Sequence, residues 1–133
     1  MVTDVLVLDA SVAVRATRRT DGFAWFSEDL VAPPLLWSEA RSVFHEALWR
    51  RETTRVQADE ARRRLDGAPV KRLSPPDLGD EAWRVADELG WAKTYDAEYV
   101  ALARLLGCRL VTLDARLHRG TRRLGFVVAP EEV

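Results

Sequence analysis

Asp9 directly follows Val5-Leu6-Val7-Leu8, and Asp114 directly follows Leu110-Val111-Thr112-Leu113. Both runs are continuously apolar, without alternation, as expected for strands covered on both faces. Each aspartate therefore falls at the carboxyl end of a buried strand, the edge at which open α/β sheets bind ligands. Ser11 and Thr112 add hydroxyls near that edge that could orient the carboxylates. Each aspartate is also followed by Ala and a helical pattern, so a helix N-cap is an equally direct reading of either one alone. Glu39 is different. It lies three residues after Leu36 and four before Val43, on the stripe Leu36, Ala40, Val43 and Ala47 of a helix beginning at Leu35. A carboxylate on a core-facing stripe costs several kcal/mol of desolvation unless a cation or hydrogen-bond donors compensate. Asp96 opens the helix from Tyr95 to Leu106 and shares a face with Val100 and Ala103, which points it inward, although a first-turn acid is also an ordinary partner of the helix dipole.

Together these acids imply a site that attracts a cation. Like charges about 4 Å apart repel by roughly 4 kcal/mol at an effective dielectric of 20, so either some are protonated or a divalent ion neutralises them. Oxygen ligands favour Mg²⁺ or Mn²⁺ over Zn²⁺, and His45 and His118 lack the paired spacing of a zinc site. Carboxylate-held ions suit phosphodiester hydrolysis: they bind a phosphate oxygen, activate water and stabilise the leaving oxygen.

The elements that must position these acids form one domain, 1–133, since the chain shows no linker, repeat or low-complexity tract. Strands are expected at Asp4–Leu8, Arg109–Leu113 and Phe126–Val128, and a short apolar segment, Leu30–Ala32, leads through Pro33-Pro34 into the first long helix. Between them come helices at about 35–51, 55–65, 76–89, 95–106 and 115–123, with Gly67, Gly90, Gly107 and Gly125 as stop signals. Strands alternating with helices predict an α/β fold with a mainly parallel sheet. Hydrophobic residues make up 47%, enough for a single core. Cys108 lies in an apolar run and reads as a buried thiol in a reducing setting. The start, Met1-Val2-Thr3-Asp4, lacks the basic region of a secretory signal, and no apolar stretch is long enough for a membrane span; both point to a cytoplasmic protein. The formal net charge of -1 argues against general polyanion binding. The arginines nevertheless cluster between Arg50 and Arg72 and between Arg116 and Arg123, where they form either phosphate contacts or solvated helix faces.

The segments V-L-D-A-S, P-P-L-L-W-S-E, T-Y-D-A-E-Y-V-A-L-A and L-V-T-L-D-A-R-L occur in this order across nearly the whole chain. They resemble the PIN-domain ribonucleases, and more narrowly the VapC toxins of toxin–antitoxin pairs. The resemblance implies Mg²⁺- or Mn²⁺-dependent endonucleolytic cleavage of RNA, a homodimer, and inhibition by a VapB-like antitoxin. By position it makes Asp9, Asp96 and Asp114 the metal ligands and Glu39 a ligand of the metal or its water, with Thr112 and Ser11 supporting. Ser42 stands where many relatives carry Asn. The helix of Glu39 also has a second apolar line, Trp37, Phe44 and Leu48, read as either core or a partner surface; with the helix at 55–65 it is expected to form the antitoxin groove. A PIN-fold nuclease of RNA processing or DNA repair, with no antitoxin, and a catalytically inactive binding module are the alternatives.

Overall fold

The structure, a computed structural model, describes residues 4–133. The first three positions of the expected domain, and most of the start from which a missing signal was read, lie outside the described residues. The sheet has five strands: β1 (Val5–Leu8), β2 (Asp29–Ala32), β3 (Val70–Arg72), β4 (Arg109–Val111) and β5 (Val127–Val128). All pairings are parallel, and the order is β3-β2-β1-β4-β5. Leu6, Val7 and Leu8 of the central strand and Leu110 and Val111 of β4 are fully buried, which accounts for their unalternating apolar sequence.

Helices α1 (Ala10–Thr17), α2 (Leu35–Trp49) and α3 (Arg55–Asp66) pack on one another. Helices α4 (Leu78–Leu89) and α5 (Tyr95–Leu106) form a second pair, with α5 lying on β1 and β4, and α6 (Ala115–Gly120) joins β4 to β5. Right-handed crossovers place α1–α3 on one face of the sheet and α4–α6 on the other, because the chain moves outward from β1 to β3 and then returns to the opposite side at β4. Strand order therefore reverses at the β1/β4 boundary.

Local chemistry fixes the helix ends. Asp9 caps α1 by accepting the Val12 amide, Asp114 caps α6 by accepting the amides of Arg116 and Leu117, and Thr54 with Gln57 forms a capping box on α3. Gly90 and Gly107 end α4 and α5 with φ of 71° and 66°, left-handed conformations that cost glycine little. Gly67 ends α3 without one, at φ -95°.

Three expectations change. The polar strand Val70-Lys71-Arg72 is not legible as a strand: it is an edge strand with Lys71 and Arg72 exposed, and only its pairing to β2 defines it. Val43, expected on the inward stripe of α2, is 41% exposed. The buried face of α2 runs through Leu36, Trp37, Ala40 and Phe44 rather than Leu36, Ala40, Val43 and Ala47, which turns Val43 outward. Trp37 and Phe44, expected as candidates for a partner surface, belong to the core: both are nearly fully buried, and the Arg72 guanidinium stacks 4.4 Å above the Trp37 ring. Leu48 is half-buried. That face of α2 is spent on packing within the chain. Trp49 at the end of α2 and Val56 at the start of α3 are exposed.

Candidate active site

Asp9 leaves the end of β1, Thr112 to Asp114 leave the end of β4, and the site lies where these two strands diverge into different helices. Asp9 is buried and both of its carboxylate oxygens accept hydrogen bonds, with one acceptor site left on Oδ2. Oδ1 accepts from Ser11 Oγ at 2.5 Å and the Val12 amide at 3.2 Å, and Oδ2 accepts from Thr112 Oγ1 at 2.5 Å. The two hydroxyls are themselves tied across the β1/β4 boundary, with Leu113 donating its amide to Ser11 Oγ and Asp114 donating its amide to Thr112 Oγ1, each at 3.0 Å. A closed network thus fixes Asp9 relative to Asp114, and both aspartates are the helix N-caps that the sequence offered as one reading of each. Burial pushes the Asp9 carboxyl above its usual range; the bonds from Ser11, Thr112 and Val12 oppose that rise, and nearby Asp96 adds to it.

Glu39 reaches the same region from α2. Tyr99 of α5, 1% exposed, donates its hydroxyl to Glu39 Oε1 in a short bond. The sequence left open whether a cation or donors compensate Glu39, and the structure supplies a donor to one oxygen. Arg41 pairs with Asp66 and Arg50 with Glu46, so neither arginine serves Glu39. Desolvation raises the Glu39 carboxyl, the Tyr99 bond lowers it in part, and the charges of Asp96, Asp9 and Glu98 raise it further. Tyr99 is held well above the usual phenol range by burial and then by Glu39, so it remains a proton donor at any working pH. Tyr99 did not enter the sequence-based set. Its signal was present, since a tyrosine one turn after Asp96 shares that residue's face, but only the packing of α5 against the sheet aims the hydroxyl at α2.

Asp96 corrects an expectation: it is solvent-exposed rather than inward. It lies in the first turn of α5, ahead of the buried stretch that begins at Ala97. Its carboxyl is nonetheless raised, by desolvation and then by Asp114, with Arg116 opposing. The charges are therefore linked in sequence, Glu39 and Asp9 sensing Asp96, and Asp96 sensing Asp114. Among the described residues no three Asp, Glu, His or Cys side chains are gathered closely enough to hold one ion between them. Unused acceptors remain on Asp96, on Oε2 of Glu39 and on Oδ2 of Asp114, and all of them are oxygens. Such a donor set fits a hard divalent ion that keeps several waters and takes only one or two carboxylates. Ser42 is exposed on α2.

A five-stranded parallel sheet with acids at its switch-point edge defines an α/β nuclease-like architecture, and the family comparison gives it a name: the chain belongs to the PIN-domain family, whose model matches residues 6–122. Within that family it is similar to ribonuclease VapC9 of Mycobacterium tuberculosis and to a VapC ribonuclease of Mycobacterium bovis. Each is 36% identical over 119 residues, covering 85% of this chain and 88% of the relative. Among solved structures it is similar to PAE2754 from Pyrobaculum aerophilum, with TM-score 0.76 and 29% identity over 98% of this chain and 92% of that one. A toxin–antitoxin complex from Klebsiella pneumoniae shares the fold, with TM-score 0.66 and 17% identity over 94% and 97% of the two chains.

Proposed function

We propose that the chain is a divalent-metal-dependent endoribonuclease, the toxin of a VapBC-type pair. The observation that carries this reading is the charge-linked set Glu39, Asp9, Asp96 and Asp114, brought from separate elements to the β1/β4 edge with acceptor oxygens still unused. The similarity to VapC ribonucleases over most of both chains supports RNA as the substrate.

In this reading Asp9, Asp96 and Asp114 would surround Mg²⁺ or Mn²⁺, one or two of them bonding it directly and the rest through its waters, and Glu39 would hold the metal or a water beside it. Bound there, the ion supplies Lewis-acid stabilisation of the phosphate and leaving oxygens. The chain's own residues do the positioning. Ser11 and Thr112 keep the Asp9 carboxylate in one orientation, and Tyr99 fixes Glu39 through Oε1, leaving Oε2 to accept a proton from the attacking water. Arg116, whose side chain is exposed beside Asp114, attracts the phosphate backbone.

The antitoxin is assigned to the groove between α2 and α3 and the end of α1, a cavity of about 600 Å³ lined by Phe44, Ala47, Val56 and Ala61 with Arg18 and Arg64. It retains the helix pair expected from the sequence but not Trp37. The chain acts as a homodimer in the cytoplasm.

The test is cleavage of cellular RNA by the purified chain with Mg²⁺ or Mn²⁺ and with EDTA. Asp9→Asn and Asp96→Asn should each lose at least about 100-fold in rate while remaining folded. Full cleavage by either variant in Mg²⁺ would falsify the assignment.

A further inference from the structure

A cavity of about 270 Å³ opens beside the acids, on the face of the sheet that carries α1. One wall is the α1 stripe Val12, Arg15, Ala16 and Arg19, spaced three and four residues apart. The opposite wall is Leu113 with Pro130 and Glu131, which follow β4 and β5, and Trp25 and Phe26 close the far end. The cavity exists because α6 crosses to the other face, so no helix covers this side of β4 and β5. It is joined to the site through the backbone: the Val12 amide donates to Asp9, and the Leu113 amide donates to Ser11.

We infer, building on the ribonuclease reading above, that this cavity receives one unstacked nucleobase of the RNA next to the cleaved bond. Its size suits a single planar ring system and excludes a helix, whose diameter is about 10–12 Å. Its chemistry is that of single-strand recognition, an aromatic platform with arginines beside it. Trp25 is half-exposed and is held edge-on to Phe26 at 4.9 Å between ring centroids, so the indole is braced rather than free. Arg19 is bonded to Asp21 at 3.2 Å, whereas Arg15 has no carboxylate partner among the described residues and is available to a phosphate. Glu131, exposed at the rim, offers an acceptor to a base that carries an amino group, which disfavours uracil.

Equilibrium binding of short labelled single-stranded oligoribonucleotides in EDTA separates this inference from turnover, while cleavage by the unmodified protein in Mg²⁺ tests the ribonuclease reading independently. Trp25→Ala should weaken binding about 5- to 150-fold, Trp25→Phe should restore most of it, and the loss should appear in KM rather than kcat. Arg15→Ala should weaken all sequences alike and reduce the salt dependence, and Glu131→Gln should narrow the preference against uracil. Duplex RNA of the same sequence should not compete. Unchanged binding by Trp25→Ala, failure of Trp25→Phe to rescue, or loss of antitoxin inhibition with RNA binding intact would each overturn the inference, the last by assigning the cavity to the protein partner.

Discussion

Tyr99→Phe removes one atom from the site and tests how Glu39 is held. Tyr99 is 1% exposed and its ring packs in the core, so phenylalanine keeps the volume and deletes only the donor to Glu39 Oε1. A hydrogen bond to a charged group contributes about 1.5–3 kcal/mol, and one between neutral groups about 1 kcal/mol. Glu39 is half-buried, so water replaces the donor in part and the loss should lie near the lower end, about 1.5–2 kcal/mol at neutral pH. For a domain of this length that is about a 5–7 °C fall in Tm. The loss should depend on pH. In the wild type the Tyr99 bond lowers a carboxyl that burial has raised; without it the carboxyl rises further. The variant should therefore lose most stability above the Glu39 titration, where the carboxylate is ionised, and only about 1 kcal/mol below it. The acid limb of the cleavage profile should move to higher pH. Urea denaturation of both proteins in EDTA at about pH 5 and about pH 7.5, with the pH dependence of kcat/KM, measures both effects. An equal loss at both pH values, or an unmoved acid limb, refutes the role given to this bond.

The remaining predictions concern the ion, the scaffold and the partner. Asp9, Glu39 and Asp96 all titrate above their unfolded values, so their contribution to stability is complete below about pH 4 and is lost as pH rises through the raised folded values. Mg²⁺ should reverse that loss, giving an increase in Tm that is larger at about pH 8 than at about pH 5 and smaller in Asp96→Asn; a pH-independent increase counts against binding at these acids. Arg104 of α5 bridges to α4 by bonding Glu81 at 2.7 Å and Glu88 at 2.8 and 3.1 Å. Arg104→Met should cost about 1 kcal/mol at pH 7. Because the arginines depress the Glu81 and Glu88 carboxyls, that contribution is present above about pH 4.5 and is lost as pH falls through the folded values, so chemical denaturation should show the two proteins converging in acid. Val56→Asp, on an exposed side chain of the α2–α3 groove, should leave RNA cleavage unchanged and weaken inhibition by the antitoxin at least 10-fold, as titration of activity would show.

The sequence by itself determined the parts that follow from local pattern. The unalternating runs before Asp9 and Asp114 read as strands buried on both faces, and β1 and β4 form there. The glycines after Leu89 and Leu106 end helices at the positions observed, and Glu39 on the Leu36/Ala40 stripe marks a carboxylate held away from water. These features rest on interactions within a few residues, which a single chain carries openly. Tertiary structure decided what depends on contacts between distant segments. The edge strand Val70–Arg72 exists only through its pairing with β2, and Trp37 and Phe44 became core because α1 and α3 cover that face of α2. Asp96 stayed at the surface because the packed stretch of α5 begins only at Ala97. Tyr99 and the Ser11–Asp9–Thr112 network join residues 60 and 103 positions apart, separations at which no periodicity carries a signal. The acids that could do chemistry were thus legible in the sequence, while the groups that hold them in place were set by how α2, α5 and the β1/β4 edge come together.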